Sequence, residues 1–294
     1  MNPLIAEASL LLSHADVVDE SFSPENGENY FLSVMVNDNS VSWSVMDRKR
    51  NKVIALKSKS FTSKISSPDE SFLSTFKNDI LINGVNYRGV HVSEVNKFST
   101  LIPAGLFEKG DEEKYLNFNS ASSTGMELFA DRLKGENIVN VFACNKNAVE
   151  VFRKLFSNSS FHHFSTPLID SILLSSPSSD EKKIHLHVQK TSCEVVVTQG
   201  KKLLLYNSYP ITEVNECAYY TMFVVEQLNL NHAETELILL GEITSGSELV
   251  SLLSAYIGKV SLGKRPAMFE YSYGFNEIPG QLHYTLISQH LCAS

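Results

Sequence analysis

Between Tyr30 and Ser60 apolar and polar residues alternate with a period of two. Leu32, Val34 and Val36 are separated by Ser33 and Met35, and beyond Asn37-Asp38-Asn39 the positions Val41, Trp43 and Val45 are separated by Ser42 and Ser44. Asn and Asp tolerate left-handed backbone angles, so the pattern predicts a hairpin. The basic stretch Arg48-Lys49-Arg50-Asn51-Lys52 turns into a third strand at Val53-Ile54-Ala55-Leu56, which makes a meander. Helical spacing follows at Phe72, Leu73, Phe76 and Ile80, behind the acidic pair Asp69-Glu70 that favours a helix N-terminus. Val90 and Val92, then Leu101-Ile102, supply further strand material. Asn137 to Cys144 reads as a stronger strand, and Asn145 caps a helix whose apolar face is Ala148, Val149, Phe152, Leu155 and Phe156, with Asn158 as its stop.

Ser175-Ser176-Pro177-Ser178-Ser179-Asp180 is the clearest shift in composition and predicts a hinge between two compact units, 1–178 and 179–294. After it the opening pattern returns. Ile184, Leu186 and Val188 alternate with His185, His187 and Gln189. Val195-Val196-Val197 follows a short polar turn, and Gln199-Gly200-Lys201 turns into Leu203-Leu204-Leu205-Tyr206. Thr212 caps a long helix through Val214, Cys217, Ala218, Val225 and Leu228. Leu237-Ile238-Leu239-Leu240-Gly241 reads as a short strand apolar on both faces, as in a parallel sheet covered on both sides. Ser247 caps a last helical pattern from Leu249 to Ile257, with Gly258 at its C′ position. A C-terminal helix from about Pro279 to Leu291 is expected to pack through Leu282 and Leu286.

A three-strand antiparallel meander followed by helix, strand, helix and strand thus occurs twice. The fold class is α/β. The plan resembles the paired ribonuclease-H-like domains of the actin, Hsp70 and sugar-kinase superfamily, each a meander continuing into a mixed sheet with helices. Leu203-Leu204-Leu205-Tyr206-Asn207-Ser208, the helix with Ala218-Tyr219-Tyr220, and Gly241 after its apolar strand are similar to an uncharacterised Bacteroidetes family with an actin-like ATPase fold.

That resemblance implies where nucleotide chemistry would sit. The superfamily carries an Asp-x-Gly pattern in each domain's first hairpin: the Asp organises magnesium and water, and the Gly lets backbone N–H groups approach phosphate. In register, the first meander offers Met35 for the Asp and Asn37 for the Gly; the second offers His187 and Gln189, followed by Lys190-Thr191-Ser192. The adenosine-side Gly-Gly step reads Gly241-Glu242. Three departures at three contacts imply a degenerate, non-hydrolysing member that holds a protein or a small polar ligand. The alternative is a divergent ATPase or phosphotransferase binding Mg-ATP in an inter-lobe cleft, its phosphate contacts rebuilt in a shifted register by Asp38, Lys190, Thr191 and Ser192. Asn37, Asp38, Asn39, His187, Gln189, Lys190, Thr191, Gly241 and Glu242 are therefore the candidate ligand-contacting positions. No catalytic residue is assigned, and no cofactor or metal is expected.

Composition narrows the picture only slightly. With 25 basic and 33 acidic side chains the net charge is -8, so the chain lacks an electrostatic footprint for nucleic acid. Its four cysteines form no Cys-x-x-Cys pair, and Cys193 beside Glu194 has no evident base. His185 and His187 share a strand face, as metal ligands can, but no motif supplies a third ligand, so hydrogen-bonded imidazoles are expected. No apolar run reaches the roughly 20 residues of a membrane span, and the first residues lack a signal-peptide pattern, so a cytoplasmic protein is expected. Consecutive Tyr219 and Tyr220 cannot both lie on one narrow helix stripe, so one of them faces outward or towards a partner unless the helix is buried on two sides.

Overall fold

Strict alternation becomes strand in the computed structural model, which describes residues 15–38, 40–61, 70–119 and 124–293. β1 (Asp16–Val18), β2 (Tyr30–Val36), β3 (Ser40–Asp47) and β4 (Lys52–Ser60) lie antiparallel in the order β1-β4-β3-β2. Asn37 N–H donates to the Ser40 carbonyl at 2.9 Å to close the first turn, and Asn51 takes φ +50° in the second. A left-handed φ of this kind is one that Asn tolerates better than most residues. β5 (Gly89–Glu94) then runs parallel to β2.

β6 (Ser99–Pro103), β7 (Met126–Arg132) and β8 (Ile138–Asn145) form a separate antiparallel sheet in the order β6-β8-β7. The continuous apolar run of β8 reflects burial on both faces: Val139, Val141 and Ala143 pack with Leu116, while Phe142 and Cys144 join the main core. β9 (Ser159–His163) follows and lies parallel to β5 at the edge of the main sheet.

The helices of this half are α1 (Glu70–Asn78), α2 (Glu112–Asn119), α3 (Lys146–Leu155) and α4 (Ser165–Ser175). Asn145 caps α3 by accepting from the N–H groups of Asn147 and Ala148. Phe72 and Phe76 of α1 and Phe152 of α3 close over the sheet around Trp43, with ring centroids 5.1 Å apart for Trp43–Phe76 and 5.8 Å for Phe76–Phe152. Edge-on and tilted ring pairs of this kind add to the area that they bury. Ile80, expected on the apolar face of α1, lies beyond the helix and is 57% exposed; Leu81 is buried in its place.

In the second half β10 (Lys182–Val188), β11 (Ser192–Gln199) and β12 (Lys202–Pro210) form the second meander, and β13 (Glu236–Gly241) and β14 (Lys259–Leu262) add in parallel, in the order β12-β11-β10-β13-β14. The strand order β4-β3-β2-β5-β9 has the same senses. α5 (Val214–Gln227) and α6 (Glu248–Tyr256) bury Cys217, Val224, Val225, Leu249 and Leu253 with this sheet. One local expectation changes. Glu213, not Thr212, is the N-cap of α5, its N–H donating to Glu216 at 3.1 Å in a capping box. Ile257 is the C-cap of α6, so Gly258 stands at C′ as expected; its φ is not positive, and a Cβ there would meet the Ala233 carbonyl oxygen at 2.7 Å.

The chain divides into two units between Asp170 and Ser171, inside α4, rather than at the serine-rich stretch. One unit comprises 15–170, Met268–Glu277 and 285–293; the other comprises Ser171–Ala267 and Ile278–Tyr284. The end of the chain is thus shared. The expected C-terminal helix is short, α7 (Tyr284–Ser288), and runs into a 3-10 turn at Gln289–Ala293, with Leu282 and Leu286 both buried. His290 is drawn to the first unit's sheet because its ring nitrogens meet Ser33 Oγ at 3.0 Å and Ser44 Oγ at 2.7 Å, two buried hydroxyls on β2 and β3.

Candidate functional site

The register of the second meander assembles a polar row. Residues directly opposite one another share a sheet face, and here His187 faces Glu194, which faces Ser208. Gln189 and Ser192 lie two residues along on the same face. Glu194 is completely buried. One of its carboxylate oxygens accepts from His187 Nδ1–H at 2.9 Å and Gln189 Nε2–H at 3.1 Å; the other accepts from Ser192 Oγ–H at 2.7 Å and Ser208 Oγ–H at 3.2 Å. Four donors, two to each oxygen, leave the carboxylate no free lone pair for a metal ion or a water. A buried charge survives only with such pairing.

β13 approaches the same end of β10, Val188 standing opposite Gly241. Gly241 takes φ +82°, and a Cβ there would collide with the Val188 carbonyl oxygen. That close backbone approach, rather than a bound ligand, requires the glycine. Its N–H donates to the Gln281 carbonyl at 2.9 Å, and the Glu242 N–H donates to the Val188 carbonyl at 2.7 Å. Glu242 is half-buried, and burial pushes its carboxyl up to about 6, with the charges of His187 and Lys190 opposing and that of Glu194 reinforcing.

The turn between β10 and β11 is closed by Gln189 N–H to the Ser192 carbonyl at 2.9 Å, so that amide is not offered to a phosphate. Lys190 and Thr191 are exposed at its tip. Of the predicted positions, His187, Gln189, Lys190, Thr191, Gly241 and Glu242 therefore gather at one end of one sheet. Asn37 and Asp38 belong to the first meander, in the other unit, and Asn39 lies outside the described residues. Beside that hairpin Glu94, opposite Val36, accepts from Asn145 N–H at 2.8 Å, and burial raises its carboxyl, to which the Asp38 charge adds.

Two groups escaped the sequence reading. Glu194 enters the sequence reading only as the neighbour of Cys193, and Glu94 does not enter it; the readable signal for Glu194 is its place opposite His187 once the hairpin is put in register. His185 is buried, its imidazole held down to about 4 by desolvation. The Cys193 thiol is pushed up by its hydrogen bond to Cys217 and by burial, which makes it a poor nucleophile. Among the described residues no three His, Cys, Asp or Glu side chains are arranged to hold a metal ion, and no helix is long and apolar enough to cross a membrane.

A family model described as "Protein of unknown function (DUF3822)" matches residues 19–260. No curated protein matches the sequence. Among solved structures, a Bacteroides thetaiotaomicron protein with an actin-like ATPase fold and unknown function is 23% identical at a TM-score of 0.74, covering 82% of this chain and 93% of that one. The PilM-PilN type IV pilus biogenesis complex matches at 13% identity and a TM-score of 0.61, covering 89% of this chain and 97% of that one. These likenesses show an actin-like ATPase fold.

Proposed function

We propose that this chain, which belongs to the DUF3822 family of proteins of unknown function, is a non-hydrolysing protein that uses the actin-like ATPase frame to hold a protein or a small polar ligand. The repeated strand order is read as a duplicated ribonuclease-H-like domain. The observation that carries the proposal is Glu194. In the hairpin where this fold's enzymes need an open carboxylate for magnesium and water, the buried carboxylate spends both oxygens on His187, Gln189, Ser192 and Ser208.

Two further features support it. Gly241 is accounted for by the approach of Val188, and the next residue brings a carboxyl group where a nucleotide would bring negative charge. Lys190, Thr191 and Glu242 remain as accessible polar groups at this end of the sheet, a set suited to a polar ligand or a partner's side chains. A structural neighbour with this fold, PilM, is known in a complex with PilN, which favours the protein-partner form of the reading.

The test is thermal unfolding with and without millimolar Mg-ATP, read beside phosphate release. Losing several charge-assisted contacts, at roughly 1.5–3 kcal/mol each, weakens nucleotide binding by orders of magnitude, so no upward shift and no release are expected. A ligand at about 100 times its Kd would add about 2.7 kcal/mol. A clear shift that vanishes in Lys190→Ala or Asp38→Ala would overturn the proposal in favour of a divergent ATPase.

A further inference from the structure

A second polar cluster lies in the other unit, and it has the order of groups that activates a serine. β9 puts Ser160 and His162 on one face, two residues apart, and its parallel register with β5 sets Ser160 opposite His91. Ser160 Oγ is 3.0 Å from His162 Nε2. His162 Nδ1 is 3.1 and 3.2 Å from the two oxygens of Asp131 on β7. Thr166 Oγ1–H, at the start of α4, donates to Asp131 at 3.0 Å and itself accepts from Asn140 Nδ2–H at 2.9 Å, which fixes the carboxylate. On the far side His91 Nδ1 stands 2.8 Å from Ser160 Oγ.

The protons can be assigned from the acceptors. A carboxylate only accepts, so His162 Nδ1 carries its hydrogen towards Asp131, and Nε2 is the nitrogen that faces Ser160 as acceptor. Ser160 Oγ–H then donates to Nε2, and His91 Nδ1–H donates to Ser160 Oγ. Burial, with smaller help from His162 and Lys134, holds His91 down to about 4, so at neutral pH it remains a neutral donor. Ser160, His162 and Asp131 are each half-buried, not sealed.

We propose that Ser160 is a nucleophile, with His162 as its general base and Asp131 as the positioning residue for His162, that reacts with activated acyl and phosphonyl compounds. Nucleophile, base and orienter within hydrogen-bond reach are the signature of such a group. In the acyl step the Oγ attacks the ester carbonyl and its proton passes to His162 Nε2. The tetrahedral adduct collapses, the C–O bond to the leaving alcohol breaks, and that oxygen takes the proton from His162. Water repeats the sequence on the Ser160 ester, releasing the acid and restoring the hydroxyl. The described hydrogen bonds put one N–H donor at Ser160 Oγ, that of His91, and no pair of backbone N–H groups, so the substrate class is one with a good leaving group. The proposal is independent of whether the other unit binds nucleotide.

The experiment treats the full chain with a fluorophosphonate probe, maps the modified peptide by mass spectrometry, and follows p-nitrophenyl acetate for an acylation burst. Stoichiometric labelling at Ser160 is expected in the folded protein and not in urea. Ser160→Ala abolishes label and burst. His162→Ala and Asp131→Asn slow labelling by about 100-fold or more at unchanged far-ultraviolet dichroism, and Asp131→Glu recovers part of the rate, which loss of a merely structural contact would not explain. Failure of the folded wild-type chain to label at Ser160 with millimolar probe overturns the proposal, whatever the variants do. So does labelling at a rate that the folded His162 and Asp131 variants share.

Discussion

Replacing Glu194 by Ala removes one acceptor from four donors at once. Two of these, Ser208 at the exposed end of β12 and half-buried Ser192, can turn to water. His187 and Gln189 cannot, being 6% and 7% exposed, so their N–H groups are left in the interior without an acceptor. An orphaned buried donor costs roughly 1–3 kcal/mol, and there are two of them. Relief from burying the carboxylate itself offsets part of this, so the expected loss is about 3 kcal/mol. Urea unfolding followed by far-ultraviolet dichroism should show the midpoint falling by about 1–3 M. Fluorescence of Trp43, the single tryptophan, is the wrong probe because it belongs to the other unit. Glu194→Gln keeps the shape but turns one acceptor into a donor facing donors, and should lose less. A loss under about 1 kcal/mol for Glu194→Ala would refute the closed network on which the proposed function rests.

Acid should destabilise the protein between about pH 6.5 and 4. Burial holds His91, His185 and His283 down to about 4 and His290 to about 3, so in that window the unfolded chain binds protons that the folded one refuses; Asp170 and Glu242, raised by burial to about 7 and about 6, act with the opposite sign. Glu94, whose carboxyl burial also raises, joins the opposing side, so four groups against three leave a net uptake near one proton on unfolding, or about 1.4 kcal/mol per pH unit, and Asp170→Asn should steepen the slope; a flat profile from urea midpoints would contradict the assignment. Gly241→Ala combines a positive φ with a collision against Val188 and should cost at least about 2 kcal/mol by urea unfolding, with a neutral result disproving the close approach. Phe152→Ala opens a cavity beneath Phe72 and Phe76 and should cost about 3–5 kcal/mol, read from Trp43 fluorescence in urea.

Local pattern carried the reading as far as local pattern extends. Both meanders, the Asn145 and Ser247 caps and the apolar strand before Gly241 were legible because each repeats the period that its element demands. β7 and β9 were not. β7 is only half-buried along most of its length, so it shows no alternation, and β9 has a single apolar residue, Phe161, its pairing supplied by β5. α4 was missed because it runs into the serine-rich stretch, whose composition suggested a break. For the candidate site, residue types were readable and relations were not. His187 and Glu194 are seven residues apart and meet only through hairpin register, while Gly241 meets Val188 across 53 positions. A glycine required by such an approach is indistinguishable in sequence from one required by a ligand.

The return of the chain end to the first unit gives synthesis an awkward order. Ser33 and Ser44 leave the ribosome early, yet their partner His290 is separated from them by 257 and 246 residues. At about 5–20 residues per second, the first sheet waits on the order of 10 s or more for the ring that satisfies those hydroxyls. The unit begun first is therefore completed last, after the whole of the Ser171–Ala267 segment has emerged and had time to fold. A nascent chain stalled before Gln289 should leave the Ser33 and Ser44 hydroxyls without the His290 ring, whereas one stalled before Ser171 lacks the second meander altogether.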